Sequence, residues 1–383
     1  MNRVFRYRLY PTSRQQTSLG EMLRDHCRLY NAALQERRDA YRMCQHSVSY
    51  GDQSAQLRDI RSFDEDQSRW SFSSQQQTLR RLDKAFQAFF RRVEAGQSPG
   101  YPRFKPVQRF DTVTFIEGDG AKWLGERVRL QGIGHVKVKL HRPVGGTVKQ
   151  VSITREGQHW YVNVVCVDVP AQERPPTGAV VGIDRGVRHL LADSDGGFSP
   201  NPRHTREAAE KLTGAQQALA GCQRGSTRRR KAVTRVAGHH RKVRNSRADY
   251  LHKLSRTLVD TYDVVVLEDL RVGNMTRRPK PLPDNAPNGA AAKAGLNKSI
   301  LDAGWTALAG MIQYKAESAG ADVIFVPAAN TSRTCHACGH VDAGNRRGEV
   351  FLCQRCGHSA HADTNAALNI LRLGLSRHAA QAA

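Results

Sequence analysis

The sequence has no run of about 18 apolar residues, the length that a helix needs to cross a lipid bilayer. Its first eight residues, Met1 to Arg8, also lack the apolar stretch of a secretory signal peptide. These two absences argue against a membrane-spanning or exported protein. We therefore expect a cytoplasmic protein with no membrane partner.

Acidic residues are scarce in this chain of 383 residues. It has 35 Asp and Glu against 59 Lys and Arg, which leaves a formal net charge of +24. Such an excess predicts a polyanionic partner, of which the nucleic-acid backbone is the commonest. A basic protein that is merely soluble is the alternative, and the clustering of the charge argues against it.

Cysteine is also sparse, except in one segment near the C-terminus. Cys27, Cys44, Cys166 and Cys222 are scattered, as expected of reduced cytosolic thiols. The other four form two Cys-x-x-Cys pairs separated by 14 residues: Cys335, Cys338, Cys353 and Cys356. This spacing predicts a zinc ribbon, in which four thiolates complete a tetrahedral Zn²⁺ site. A closed site has no open coordination position, so we expect a structural metal; a disulfide or redox pair is the alternative.

The N-terminal half predicts a β-barrel with a helical insertion. Residues 4–10 alternate between apolar and polar side chains, as in a half-buried strand. Ser13-x-x-Gln16 resembles a capping box for the helix that follows. Residues 45–70 are polar and poorly periodic, and a second helix is expected over residues 73–93. After Gly100 the pattern becomes strand-like again.

Two features of this later part support the barrel. Residues 136–140 alternate, and residues 151–153 and 160–164 predict a hairpin that turns at Glu156 and Gly157. Together with the first strand they can close a small barrel. We expect a binding role for this half, because it contains no catalytic constellation.

In the C-terminal half, two apolar strands end on acidic residues. Residues 179–184 end on Asp184 and are followed by a second strand, which is the opening of an RNase H-like nuclease fold. A strand-end Asp is also a common cap. Residues 262–269 repeat the pattern and end on Glu268 and Asp269. We favour Glu268 as a metal ligand, because Asp269 should point to the opposite face of the strand.

Basic residues crowd the segment between these strands. Residues 205–262 predict a long helical hairpin that includes Arg228, Arg229, Arg230 and Arg241. Such helices repel themselves unless phosphates neutralise them. The segment 273–297 is rich in Pro, Gly and Ala, and is interpreted either as disordered or as a mobile lid.

Three carboxylates then share a placement at a strand end or a helix start: Asp184, Glu268 and Asp363. Carboxylate oxygens are the ligands that Mg²⁺ prefers, and two such ions about 3.5–4 Å apart can catalyse phosphodiester hydrolysis. The other acids in this half lack that placement, and we expect Asp193, Asp195, Asp263, Asp269 and Asp302 to be caps or surface charges. The pattern therefore predicts a two-metal nuclease.

Several motifs together resemble the TnpB family, transposon-encoded RNA-guided DNA endonucleases related to type V CRISPR effectors. They are residues 8–11, 100–105, 182–186 and 267–270, the two cysteine pairs with the glycine that follows each, and Asp363-x-Asn365-Ala366-Ala367-x-Asn369-Ile370. The resemblance covers nearly the whole chain. It implies that Asp184, Glu268 and Asp363 bind catalytic Mg²⁺ and that the four cysteines bind Zn²⁺.

The resemblance also implies an α+β multidomain fold. A wedge barrel is expected over residues 1–15 and 101–172, a helical recognition domain over 16–100, a RuvC nuclease domain over 173–329 and 361–383, and a zinc-ribbon insertion over 330–360. Such a protein binds a guide RNA from its element's end and cuts matching double-stranded DNA beside a short transposon-adjacent motif. In this family the helix that holds Gln76 helps to read that motif. Arg80 on the same helix is expected to contact nucleic acid, and a solvated polar face is the alternative.

We expect one protein monomer per RNA and an association with the nucleoid. The guide can come from a transposon end or from a CRISPR array.

Two other functions are alternatives to the RNA-guided nuclease. An RNase H-like transposase would use a similar acidic triad for strand transfer, and a binding-only relative would act as an RNA-guided repressor. The presence of all three carboxylates argues against the repressor.

Overall fold

The computed structural model describes residues 1–279 and 289–382, and the chain divides into two units, Met1–Pro170 and Ala171–Ala383. Seven strands of the first unit close into the expected barrel, in the order β1-β5-β4-β3-β2-β6-β7. They are β1 (Arg3–Tyr10), β2 (Thr112–Glu117), β3 (Gly120–Trp123), β4 (Arg127–Leu130), β5 (Gly134–Lys139), β6 (Thr147–Glu156) and β7 (His159–Val167). The predicted barrel is thus confirmed, with three more strands than the sequence pattern indicated.

The alternation of β1 explains its place in the barrel. Phe5, Tyr7 and Leu9 are buried, while the intervening side chains are exposed. β6 and β7 form the predicted hairpin, and Gly157 in its turn has a φ of 62°, which favours glycine. One face of each strand therefore supplies the core of the barrel.

Four helices lie between β1 and β2 in the chain. They are α1 (Ser13–Cys44), α2 (Tyr50–Phe63), α3 (Glu65–Ser68) and α4 (Phe72–Glu94). The polar and poorly periodic residues 45–70 contain α2 and α3, neither of which the sequence pattern indicates. α2 buries only Gln53 and Leu57, and Gln53 is held by Arg37 and by the Ala33 carbonyl. A helix anchored by buried polar contacts has no apolar stripe to reveal it.

The N-terminus of α1 lies one residue before the predicted position. Thr12 is the N-cap: its hydroxyl accepts a hydrogen bond from the Gln15 amide, and the Gln15 side chain accepts one from the Thr12 amide. The capping box is therefore Thr12 and Gln15 and not Ser13 and Gln16. The chemistry of the motif is the expected one, shifted in register by one residue.

The second unit is organised by a five-stranded sheet. Its strands are β8 (Val180–Asp184), β9 (His189–Asp193), β10 (Phe198–Pro200), β11 (Val264–Glu268) and β12 (Asp322–Val326), in the order β10-β9-β8-β11-β12. β8, β11 and β12 are parallel, and β9 and β10 are antiparallel to their neighbours. Ile183 pairs with Leu267, so Asp184 and Glu268 leave the sheet at the same edge.

The helices described in this unit are α5 (His204–Glu207), α6 (Ala209–Ala220), α7 (Thr227–Thr261), α8 (Val272–Met275), α9 (Ala290–Ala303), α10 (Trp305–Ala319) and α11 (Ala362–Ala382). Of these, α10 and α11 pack against the sheet, and α6 packs against α7. α6 and α7 are the predicted basic helical hairpin. Of the Pro-, Gly- and Ala-rich segment, residues 280–288 lie outside the described residues, and residues 290–297 are the start of α9. None of the helices within the described ranges combines the length and the apolarity that a membrane span requires.

A glycine in β8 permits α11 to approach the sheet closely. A Cβ atom on Gly182 would collide with the Ala367 carbonyl and with Leu371, both in α11. Because α11 begins next to Asp363, this approach carries Asp363 toward the strand that ends on Asp184. A small ribbon sheet precedes α11 and contains β13 (Arg346–Arg347), β14 (Val350–Leu352) and β15 (Ser359–His361).

A buried histidine makes the first unit sensitive to acid. His26 in α1 is fully buried, with its ring nitrogens hydrogen-bonded to the Met22 carbonyl and the Ser74 hydroxyl. Burial lowers the pKa of His26 from its ordinary value of 6.5 to about 4. The unfolded chain therefore takes up a proton here below pH 6.5, whereas the folded chain does so only near pH 4.

We expect the folded state to be most stable above pH 6.5 and to lose up to about 3 kcal/mol as the pH falls toward 4. Urea unfolding followed by tryptophan fluorescence at several pH values measures this loss. The variant His26→Gln removes the titrating group and should flatten this pH dependence, whatever its effect on stability at neutral pH. An equal pH dependence in both proteins would contradict the assignment.

Candidate active site

Three carboxylates from distant parts of the sequence line one cavity of about 1000 Å³. Asp184 is the last residue of β8, Glu268 is the last residue of β11, and Asp363 lies in the first turn of α11. Parallel pairing of the two strands brings the first two together, and the close approach of α11 at Gly182 adds the third. The structure thus places the three predicted ligands on the walls of a single cavity.

The carboxylates are withdrawn from water and repel one another. Glu268 is only 6% exposed, and burial raises its pKa. Burial raises the pKa of Asp184 to about 7, and the negative charges of Glu268 and Asp363 add to the effect. Such a group of like charges is costly to ionise unless cations enter the cavity.

Two neighbouring side chains partly offset this repulsion. The Thr331 hydroxyl donates a hydrogen bond to Oε1 of Glu268 at 2.5 Å, and Nη2 of Arg346 lies 2.7 Å from Oδ1 of Asp363. Both residues lie outside the strands that carry the first two acids, and Arg346 belongs to β13 of the ribbon. The sequence does not reveal either contact, because no spacing pattern links a threonine or an arginine to a partner so far along the chain.

A second arginine holds the backbone of the site. Arg185 follows Asp184 directly, and its buried guanidinium donates to the main-chain carbonyls of Glu268 and Trp305. This contact ties the end of β8 to the end of β11. The relative position of the two acids therefore depends on hydrogen bonds beyond the sheet itself.

The donor set suits hard divalent cations. Carboxylate oxygens are the ligands that Mg²⁺ prefers, and the part of the cavity wall that the structure describes contains neither cysteine nor histidine. Arginines also line the wall: Arg185, Arg188, Arg271, Arg346 and Arg377. A cavity with acids at its base and arginines around it can receive a phosphate group together with metal ions.

Glu268 and Asp269 differ in their exposure to solvent, as their neighbouring positions at the end of a strand predict. Glu268 is buried, while the neighbouring Asp269 is exposed. However, Asp269 also lines the cavity, so it does not point wholly away from the site. It remains near enough to test as an alternative ligand.

Three of the acids that we expected to be caps or surface charges accept hydrogen bonds from backbone amides. Asp263 accepts hydrogen bonds from the Thr177 and Gly178 amides, and Asp302 accepts one from the Thr205 amide and pairs with Arg247. In the same way Asp193 accepts one from the Gly197 amide. These contacts agree with the role that their positions in the sequence predict.

The four cysteines of the ribbon meet at one point. Their sulfur atoms all lie within 4.8 Å of one another. Sγ of Cys335 is 3.7 Å from that of Cys356, and Sγ of Cys338 is 3.6 Å from that of Cys353. A disulfide would require about 2.05 Å. Four sulfurs bound tetrahedrally to zinc at about 2.3 Å are separated by about 3.8 Å, so the cluster fits a Cys₄ metal site.

The cysteine cluster is connected to the carboxylate cavity through α11. The Asn365 side chain accepts a hydrogen bond from the His336 amide and donates one to the Thr334 carbonyl. Asn369 donates to the carbonyls of Thr331 and Thr334. The two asparagines therefore fasten the helix that carries Asp363 to the first cysteine pair.

The residues predicted to bind nucleic acid do not line this cavity in the part of its wall that the structure describes. Gln76 donates to the Ser54 hydroxyl, and Arg80 donates to the Tyr50 hydroxyl, which ties α4 to α2.

The basic residues of α7 have different surroundings. Arg229 donates to the carbonyls of Leu219 and Cys222, and Arg230 donates to the Thr227 hydroxyl. Arg228 is exposed and Arg241 is half-buried. Arg229 thus stabilises the turn between α6 and α7.

Three family models match the chain. One described as a probable transposase matches residues 164–278, one described as a Cas12f1-like TNB domain matches residues 305–370, and one described as a helix-turn-helix domain matches residues 1–45. In the structure, residues 1–45 contain β1 and the single long helix α1, so that segment is not a helix-turn-helix.

Two relatives match along nearly their whole length. The protein InsQ of Escherichia coli (strain K12), named as an RNA-guided DNA endonuclease, is 30% identical over 97% of this chain and 92% of its own. A protein of Streptomyces pristinaespiralis with the same description is 33% identical over 99% and 91%. Among solved structures, the mini-RNA-guided endonuclease CRISPR-Cas_phi3 superimposes with a TM-score of 0.51 at 10% identity, over 98% of this chain and 92% of that one. That last likeness concerns the fold alone.

Loss of the metal from the cysteine cluster should unfold the ribbon. We expect a strong zinc chelator, or the substitution Cys335→Ser, to lower the melting temperature, because metal binding and folding are coupled in such sites. Differential scanning fluorimetry of the full chain measures the change. Cys44→Ser is the matched control, because Cys44 is an exposed thiol at the end of α1. An unchanged melting curve for Cys335→Ser would contradict a structural metal site.

Proposed function

Because this chain belongs to the TnpB family of RNA-guided DNA endonucleases, we propose that it hydrolyses DNA at Asp184, Glu268 and Asp363. The convergence of these three acids in one cavity carries the proposal. The sheet order β10-β9-β8-β11-β12, with β9 and β10 antiparallel to the rest, supports a RuvC-type, RNase H-like nuclease domain. The proposed substrate is DNA complementary to a bound guide RNA.

The three carboxylates would hold two Mg²⁺ ions, since they lie together on the wall of one cavity and offer the oxygen ligands that this ion prefers. When bound, these ions supply charge stabilisation and an activated water for phosphodiester hydrolysis. The protein contributes the geometry. Thr331 orients the Glu268 carboxylate, Arg346 holds Asp363 through an ion pair, and Arg185 fixes the strand ends.

The arginines of the cavity wall would position the DNA strand. Arg188, Arg271 and Arg377 line the cavity together with apolar residues such as Leu270 and Phe325. Guanidinium groups bind phosphate oxygens with charge-assisted hydrogen bonds, which would hold the reacting phosphate beside the carboxylates. Substrate orientation therefore depends on groups other than the metal ligands.

We also propose the division of labour that this family implies. A guide RNA from the transposon end, or from a CRISPR array, selects the DNA, and the protein reads only a short adjacent motif. Gln76 and Arg80 on α4 would contact that motif, and the basic helix α7 would contact the nucleic-acid backbone. The net charge of +24 supports a large polyanionic partner.

The domain boundaries follow the same interpretation. Residues 1–15 and 101–172 would form the wedge domain, 16–100 the recognition domain, 173–329 and 361–383 the nuclease domain, and 330–360 the ribbon.

We assign a structural Zn²⁺ ion to the four cysteines of the ribbon, Cys335, Cys338, Cys353 and Cys356. Four thiolates leave no coordination position for a substrate. One monomer per RNA, working at the nucleoid, completes the proposal.

The description of one family model as a probable transposase favours a second candidate. A transposase of the RNase H-like class would join DNA ends with a similar acidic triad and without RNA. An assay that supplies DNA ends but no RNA separates the two. Joined products would support the transposase, and cleavage that requires RNA supports the proposed function.

Asp184→Ala should abolish DNA cleavage and leave RNA and target binding largely intact, because it removes a proposed metal ligand that lies on the cavity wall. The protein is co-purified with its RNA, the RNA is sequenced, and cleavage is measured on matching DNA with a randomised flank. Asp322→Ala changes an exposed acid that pairs with His378 and should cut normally. Cleavage by Asp184→Ala would show that the triad is wrong.

A second pair of variants tests the choice of ligand on β11. Glu268→Gln should lower the cleavage rate by at least about 100-fold, since it removes a metal-binding charge, whereas Asp269→Asn should change it by less than about tenfold. Both rates are measured on the same DNA with saturating Mg²⁺. If Asp269→Asn has the larger effect, the exposed acid is the ligand.

A further inference from the structure

A cluster of aromatic side chains at the end of α4 is open to solvent. Phe86 is buried at the base of this cluster, and Phe89 packs edge-on against both Phe90 and Tyr101, with ring centroids 5.2 and 5.3 Å apart. Phe90 is nevertheless 53% exposed and Tyr101 is 44% exposed. Large aromatic rings exposed as a group mark an interaction surface more often than a solvated one.

The cluster is held in place before any partner binds. The Asn31 side chain both donates to the Lys105 carbonyl and accepts from the Lys105 amide, each at 2.9 Å. This pair of bonds fastens the segment that carries Tyr101 onto α1. Tyr101 also lies 5.6 Å from Phe86 at an interplanar angle of 88°. The rings therefore form a rigid surface.

Two cations stand beside the rings. Arg91 and Arg92 end α4 and are exposed, and neither has an ion pair or a side-chain hydrogen bond in the described part of the chain. Nη1 of Arg92 lies 4.0 Å from the position that a Cβ atom on Gly100 would take, which places its charge beside the residue that precedes Tyr101. We call Phe89, Phe90, Tyr101, Arg91 and Arg92 the aromatic–arginine patch.

We propose that the aromatic–arginine patch binds unpaired bases of the guide RNA by stacking. Aromatic rings beside arginines suit a ligand that has flat apolar faces and an anionic backbone, and single-stranded nucleic acid has both. A duplex hides its base faces, and an apolar protein surface would leave the arginines without a partner. The proposal rests on the proposed function, because it takes RNA as the resident partner.

RNA is favoured over DNA as the occupant because its bases are available for stacking. In the proposed function the guide is single-stranded until a target pairs with it, whereas the target DNA enters as a duplex whose base faces are hidden. Stacking on the patch tolerates any guide sequence, since every base has an aromatic face.

The affinity of the full chain for an unstructured oligouridylate of about 20 nucleotides tests the stacking. It is measured over a range of salt concentrations, because phosphate contacts weaken with salt while stacking does not. Phe90→Leu should weaken binding by about tenfold at every salt concentration without changing the slope, and Phe90→Trp should bind as the wild type does. Arg92→Gln should instead reduce the slope by about one unit.

Phe63→Leu is the matched control, because Phe63 on α2 is 76% exposed and lies outside the patch. Equal affinities for Phe90→Leu and Phe63→Leu would overturn the proposal. A changed oligomeric state or melting temperature in Phe90→Leu, with RNA binding unaltered, would overturn it as well, by showing that the patch covers protein.

A photo-crosslinker identifies the nucleic acid. Tyr101 is replaced by p-azidophenylalanine in the full chain purified with its RNA, and the complex is irradiated before and after target DNA is added. Crosslinks to RNA in the absence of DNA are expected, and crosslinks to DNA alone would contradict the proposal. DNA cleavage by the wild type is measured in parallel. If the wild type cuts while the patch variants bind RNA normally, only the stacking proposal fails.

Discussion

The architecture of the second unit must overcome the mutual repulsion of three carboxylates, Asp184, Glu268 and Asp363. Burial and the two neighbouring charges raise the pKa of Asp184 to about 7, so this group of acids disfavours the fold that assembles it. Parallel strand pairing and the absence of a side chain at Gly182 force the acids together nonetheless. A site that is costly without cations is one that binds cations strongly, which is the property that phosphodiester hydrolysis requires.

The ribbon contributes directly to this site, because it helps to position Asp363. The cysteine cluster organises the short sheet that carries Arg346, and Asn365 and Asn369 fasten α11 to the first cysteine pair. Asp363 is therefore positioned from both sides, by an ion pair and by its own helix. In the proposed function, a metal ion in the cysteine cluster would therefore affect the position of Asp363 without taking part in the chemistry.

Much of the site could be predicted from the sequence, because its members carry local signals. Asp184 and Glu268 end apolar strands, and the cysteines have a metal-binding spacing. Arg346 and Thr331 have no such signal, since each acts through one contact with a residue 17 or 63 positions away. In the first unit, α2 was missed for a related reason: buried polar contacts hold it, and no apolar stripe marks it.

The melting temperature of the chain in the presence and absence of Mg²⁺ tests the central claim most directly. In Mg²⁺-free buffer at neutral pH, Asp184→Asn should melt at a higher temperature than the wild type, because it removes one of three repelling charges. Mg²⁺ should then raise the melting temperature of the wild type and leave that of the variant nearly unchanged. An equal response of both proteins to Mg²⁺, or a variant that is less stable without it, would contradict the account.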